Sequence, residues 1–169
     1  VMTNMLVRRY GGTRALRPHP PMLKNIPSLL TPDALHALAS MGHGDTLAIV
    51  DAHFPAARVA AQAGARLVHV PGADTPALLR AVLALMPLDD AAPEAAWTMQ
   101  VIGDAHAVPP AVAEIRACLA QAGEREPAAL ERQAFYAAAS RAFAIFPCGE
   151  ARTYGNVLLV KGVVREVGR

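Results

Sequence analysis

An α/β fold whose sheet is covered by helices on both faces is what this sequence predicts, and three observations lead to it. Helical and extended segments alternate from Met22 onward. The extended segments are short apolar runs without polar alternation, such as Leu47-Ala48-Ile49-Val50, which suits strands buried on both sides. The 169 residues are 53% hydrophobic and 18% charged, with 36 alanines, which fits one well-buried core and excludes disorder driven by low hydrophobicity.

The elements follow in order. Thr31-Pro32-Asp33 supplies a helix N-cap, a proline at the first helical position and an acid in the first turn. Leu35, Leu38 and Ala39 then recur at helical spacing until Gly42 closes the helix. Thr46–Val50 reads as a strand, Arg58–Gln62 as a short helix stopped by Gly64, and Leu67–Val70 as a strand closed by Pro71-Gly72. Thr75-Pro76 opens a helix that runs to Met86, with Leu78, Leu79, Val82 and Leu85 on one face and Pro87 as terminator. Trp97–Ile102 is expected as strand, and Pro110–Ala122 as a helix capped by Gly123. A helix over Leu130–Phe143 follows, then strands over Ala144–Pro147 and Val157–Val160 joined by a polar loop.

The formal charge of +2 is unevenly placed. Residues 1–21 hold Arg8, Arg9, Arg14 and Arg17 with no acid, whereas residues 22–169 hold twelve bases against fourteen acids. No basic cluster follows residue 21, so a nucleic-acid module is not expected. The first stretch ends in Arg-Pro-His-Pro-Pro, and Met22-Leu23-Lys24 reads like a start of translation. Residues 1–21 are therefore expected to be a disordered extension ahead of a domain over 22–169. They lack the amphipathic helix and apolar h-region of a targeting peptide. Two cysteines, Cys118 and Cys148, without CxxC spacing suggest neither a disulfide framework nor a zinc knuckle, and point to a reducing, cytoplasmic setting. No apolar run approaches the ~20 residues needed to span a bilayer.

Three polar motifs sit at element ends: Gly42-His43-Gly44-Asp45, Asp51-Ala52-His53-Phe54-Pro55 and Thr153-Tyr154-Gly155-Asn156. In open α/β sheets, crevices at strand ends are where ligands bind. His43, between two glycines, offers an uncrowded imidazole able to exchange a proton near neutral pH, or is simply a solvated turn residue. Asp51 emerges from a buried strand and suits orienting an imidazole, binding hydroxyls, or holding its own turn. Tyr154 and Asn156 offer a hydroxyl and an amide that suit sugar hydroxyls, but taken alone they read first as ordinary turn chemistry. Arg132 reads as a solvated helix charge, and Tyr136 as a core aromatic with a free hydroxyl. His43 and His53 lack the HxH or HExxH spacing of a metal site, and no metal is assigned.

Taken together, Met22-Leu23-Lys24 with Ile26, Met41-Gly42-His43-Gly44-Asp45, Asp51-Ala52-His53-Phe54-Pro55, Arg132 with Ala134-Phe135-Tyr136, and Tyr154-Gly155-Asn156 resemble, in this order, the L-fucose mutarotase and D-ribose pyranase family. The resemblance spans about residues 22–164 and implies a single three-layer α/β/α domain in a ring-like homo-oligomer, commonly a decamer, with active sites near subunit contacts. It implies that His43 is the acid–base residue, that Asp51 and Arg132 contact substrate, and that Tyr154, Gly155 and Asn156 line the sugar site. Arg132 with Tyr-Gly-Asn looks like the fucose branch, although Gln133 stands where that branch carries phenylalanine. The implied activity is interconversion of pyranose anomers by ring opening and reclosure, with a monosaccharide such as L-fucose as substrate and no cofactor. A D-ribose pyranase and a non-catalytic monosaccharide-binding protein are the alternatives.

Overall fold

Apolar strands without polar alternation need cover on both faces, and the computed structural model, which describes residues 23–165, supplies it. The strands are β1 (Thr46–Val50), β2 (Arg66–Leu67), β3 (Ala96–Met99), β4 (Ala128–Leu130), β5 (Ala144–Pro147) and β6 (Val157–Val160), in one sheet of order β2-β5-β1-β6-β3-β4. β1 is parallel to β5, which is parallel to β2, and β3 is parallel to β4. β6 lies antiparallel between β1 and β3. Five strands therefore point one way and β6 is reversed, so the carboxyl ends of the five and the amino end of β6 share one edge.

Side chains alternate across the sheet. Leu47, Ile49, Phe146, Val157 and Leu159 pack under α1 (Pro32–Ser40), α3 (Thr75–Leu83) and α4 (Pro110–Gln121), meeting Leu38, Leu78, Leu79, Val82, Ile115 and Leu119. Ala48, Val50, Ile145 and Leu158 face α2 (Ala56–Ala63) and α5 (Arg132–Ala139), which contribute Val59, Ala60, Phe135 and Ala139. Phe54 meets the fully buried Phe135 edge-on at 6.2 Å and stacks on Tyr136 at 5.1 Å. This is the three-layer α/β/α arrangement expected.

Several boundaries differ from the sequence reading. Gly42 does not cap α1: the helix stops at Ser40 because Met41 turns extended (φ −67°, ψ 138°) and buries its side chain. α2 starts two residues early, and Gly64 closes it in the left-handed region at φ 63°. α3 is capped by Asp74, whose carboxylate accepts from the Ala77 amide at 2.8 Å, and ends at Leu83 in a tightened turn before Pro87 is reached. β2 pairs only over Arg66–Leu67, yet the Val68 and Val70 amides continue onto β5 carbonyls. β3 ends at Met99, where its neighbour β4 ends too; Gln100 donates to the Leu130 carbonyl and Val101 then turns back to Asp104. The helix expected over Leu130–Phe143 is a strand and a shorter helix: Leu130 closes β4, and the Glu131 carboxylate caps α5 at the amides of Gln133 and Ala134. The extension expected at residues 1–21 lies outside the described residues.

Gly149 closes the junction of β5 with the loop before α3. Its amide donates to the Ala73 carbonyl at 2.7 Å, and a Cβ there would strike the Pro71 carbonyl oxygen. Gly149→Ala is expected to lower the unfolding free energy by about 1–3 kcal/mol. Gly72→Ala, with open space around it, should stay within about 0.5 kcal/mol. Urea denaturation midpoints of the two variants check the contrast.

Candidate active site

The shared strand-end edge carries a polar cluster built around two residues. Asp51 follows β1 and Asn156 precedes β6, and the two face each other because those strands are antiparallel neighbours. The Asn156 amide donates to Asp51 Oδ2 at 2.7 Å, and the Asp51 backbone N–H donates to Asn156 Oδ1 at 3.0 Å. Asp51 Oδ1 accepts the His53 backbone N–H at 3.0 Å. Both side chains are buried, and burial pushes the Asp51 carboxyl above its ordinary 3.8 against the pull of these donors.

Arg132 opens α5 at the end of β4, and Tyr136, four residues on, shares its helix face. Tyr154 comes in from the β5–β6 loop with φ 65°, a left-handed backbone unusual for an aromatic residue, and its hydroxyl accepts from the Ile102 amide at 3.3 Å. Asp51, Arg132, Tyr154 and Asn156 line one cavity of about 230 Å³, with Phe54 and Tyr136 as its aromatic wall. His53 also lines it, its ring Nε2 donating to the Ala151 carbonyl at 2.9 Å. A cavity of that size with convergent donors and acceptors suits one sugar ring.

The turn that carries Tyr154 and Asn156 is held from beneath. Glu150 is buried, and its carboxylate takes the Arg152 guanidinium at 2.8 and 2.9 Å and the Arg152 backbone N–H at 2.9 Å. Arg152 reaches on to Glu114 of α4 at 2.6 Å. Gly155 lies against this carboxylate, where a Cβ would strike the Glu150 side chain, and its carbonyl accepts the Thr75 hydroxyl at 2.6 Å. Gly155 thus supports the cavity rather than lining it. The Arg152 hydrogen bonds hold both Glu150 and Glu114 below the ordinary glutamate range.

His43 is elsewhere. It lies beyond the amino end of β1, beside the carboxyl end of β6, where the Gly44 amide donates to the Lys161 carbonyl at 2.9 Å. The five residues of β1 put about 16 Å between the two sheet edges. The His43 ring is 56% exposed, and its Nε2 lies 3.2 Å from Asp89 Oδ2. Asp89 is held low chiefly by the Ala91 backbone N–H, with His43 adding to it. Lys161 braces this edge, donating to the Leu38 and Met41 carbonyls at 2.9 and 2.6 Å. Sequence reasoning singled out His43 without Asp89, which sits 46 residues away in a turn with no motif of its own. Among the described residues no group of three or more His, Cys, Asp or Glu could hold a metal ion.

Residues 24–164 match the RbsD / FucU transport protein family. The chain belongs to the RbsD/FucU family. Among its relatives, the fucose mutarotase of Homo sapiens is 40% identical over 146 residues, covering 84% of this chain and 94% of that protein. The fucose mutarotase of Danio rerio is 40% identical, covering 85% and 95%. A crystal structure of the fucose mutarotase from Streptococcus pneumoniae in complex with L-fucose superposes with a TM-score of 0.78 at 34% identity, over 85% of this chain and all of that one. Bacillus subtilis RbsD complexed with D-ribose, 20% identical over 80% of this chain and 95% of its own, shares the RbsD/FucU fold with a TM-score of 0.64.

The Arg152 clamp ties the stability of this RbsD/FucU chain to pH. Both glutamates titrate lower in the folded chain than in the unfolded one, so their ionisation stabilises the fold above about 4.5. That contribution is lost as pH falls through the depressed folded values. Arg152→Ala should be less stable than the parent at pH 6, with the difference shrinking steadily below the ordinary glutamate value. Urea unfolding across that range measures it, and a pH-independent difference would assign the loss to packing alone.

Proposed function

We propose that this protein is an L-fucose mutarotase, an isomerase that interconverts the α and β anomers of the pyranose. The observation that carries this reading is a cavity of sugar size whose polar wall is Asp51, Arg132, Tyr154 and Asn156, in a chain 34% identical to a fucose mutarotase solved with L-fucose. Mutarotation needs a proton delivered to the ring oxygen as the anomeric hydroxyl loses one. The C1–O5 bond breaks to leave the free aldehyde, C1–C2 rotates, and reclosure with the proton movements reversed gives the other anomer. Proton transfer is the whole of the chemistry, so the scheme requires no cofactor. One imidazole that gives and takes protons near neutrality accounts for a gain of about 10²–10⁴-fold.

His43 is our candidate for that group, with Asp89 as its orienting partner. A carboxylate can only accept from the ring, so Nε2 carries the hydrogen toward Asp89 and Nδ1 is left to exchange a proton with the sugar. Since about 16 Å of strand separates His43 from the cavity of its own chain, the site we envisage forms between two copies. The His43 edge of one copy then closes over the cavity of the next. Such a head-to-tail contact repeats around a closed ring, and we propose a homo-oligomer of that kind, a decamer among the possible sizes, working in the cytoplasm. Residues 22–169 are proposed as the catalytic unit and 1–21 as its extension.

Exchange NMR on the anomeric protons of L-fucose is expected to show faster α/β exchange with protein than in buffer; equal rates would overturn the reading. His43→Ala and Arg132→Ala should each lose the gain. Co-expressed, the two variants should recover up to about a quarter of it, since random rings pair an intact His43 edge with an intact cavity at that frequency. A co-expressed mixture as inactive as its parts would place each complete site within one chain.

A further inference from the structure

The sugar cavity adjoins a second, larger compartment on the α2/α5 face, a groove of about 600 Å³. The two share Arg132 and Tyr136. Arg58 of α2 forms the other side of the groove, with Gln62, Gln133 and Ser140 as further polar groups, and no carboxylate lines it. The neighbouring acid, Glu131, is turned away to cap α5. Most arginines of the described residues are satisfied by the fold. Arg66 meets His36, Arg80 meets the Cys118 sulfur, Arg125 meets three carbonyls, and Arg116, Arg152 and Arg165 meet carboxylates. Among the described residues, only the guanidinium groups of Arg58, Arg132 and Arg141 make no such contact, and two of those three face this groove.

Two guanidinium groups without an acid between them, beside a sugar-sized cavity, form a receptor for an anion attached to the sugar. Mutarotation needs a free hydroxyl on C1 and a ring oxygen free to take a proton, so the charged group belongs on another carbon. C6 is the exocyclic one, and a carboxylate or phosphate there replaces no ring hydroxyl of L-fucose. We propose that this groove is an anion subsite, that it extends the substrate range to sugars of the L-fucose configuration carrying a carboxylate or phosphate at C6, and that Arg58 selects them. The proposal rests on the mutarotase reading.

Three sugars keep the ring stereochemistry of L-fucose and differ only at C6: L-galactose, L-galacturonate and L-galactose 6-phosphate. Exchange NMR at low sugar concentration should give the anionic pair a larger protein-dependent rate than L-galactose, by about tenfold, the size expected of two solvent-exposed guanidinium contacts. The advantage should shrink as salt is raised from 20 mM to about 500 mM. Arg58→Gln should remove it while L-fucose exchange stays at the parent rate, which also reports an intact fold. A preference for the carboxylate alone or the phosphate alone would name the anion and sustain the subsite. Where the protein does accelerate L-fucose exchange, anionic sugars that exchange no faster than L-galactose, or an advantage that survives Arg58→Gln, would overturn it. Calorimetric binding of L-galacturonate and L-galactose to parent and Arg58→Gln separates the two readings. An Arg58-dependent affinity difference without exchange of any sugar sustains the subsite and removes the mutarotase reading. Exchange of L-fucose with equal affinities does the reverse.

Discussion

The reciprocal pair between Asp51 and Asn156 is the contact on which the strand-end edge depends. Each residue both gives and takes: amide to carboxylate in one direction, backbone N–H to side-chain carbonyl in the other. A buried carboxylate is costly unless its lone pairs are occupied, and here the fold supplies the donors before any ligand arrives. The pair exists because β6 runs against β1, which brings the residue before one strand beside the residue after the other. With the end of β1 tied to the start of β6, Arg132 from β4–α5 and Tyr154 from the β5–β6 loop join them around one cavity.

The other sheet edge follows a different rule. His43 and Asp89 sit at the surface, with the imidazole more than half exposed, and the support around them comes from backbone: Lys161 draws in the end of α1 through two carbonyls. One edge is a formed cavity with buried polar groups, and the other presents His43 and Asp89 outward. The proposed ring would set the two edges against each other in neighbouring copies. The Glu150–Arg152–Glu114 bridge joins the β5–β6 turn on the cavity side to a helix on the opposite face of the sheet.

Much of the architecture was legible where burial is complete. The runs at 46–50, 144–147 and 157–160 are apolar on both faces and delimit β1, β5 and β6 to the residue. β4 was hidden because Ala128-Ala129 carries no strand signal and Leu130 fits the start of the following helix, and only pairing with β3 makes the three residues strand. Helix ends were missed where a buried side chain or a cap outweighed the expected breaker, as Met41 does against Gly42. Of the six candidate site residues, Asp51, Arg132, Tyr154 and Asn156 converge on one cavity and Gly155 supports it. His43 stood out as a candidate, but its distance from the others did not, since spacing along a chain does not tell which end of a sheet a turn occupies. Asp89 and the Glu150–Arg152 pair carried no local signal, because their roles arise from contacts made only after folding.

The reversed strand has a consequence for how the chain acquires its shape. β6 is the last strand of the described chain, yet it occupies the middle of the sheet, between β1 and β3. Until it inserts, β2-β5-β1 and β3-β4 are separate ribbons with unpaired inner edges. Thr46 pairs with Val160 across 114 residues of sequence, a long-range closure that slows folding and leaves sticky strand edges open while synthesis proceeds. Helices α1 to α5 all precede β6, so they can shield those faces early, but they cannot cover the gap that the final strand fills. The same insertion that completes the sheet delivers Asn156 to Asp51, so the strand-end cavity comes into being at the moment the two ribbons become one sheet.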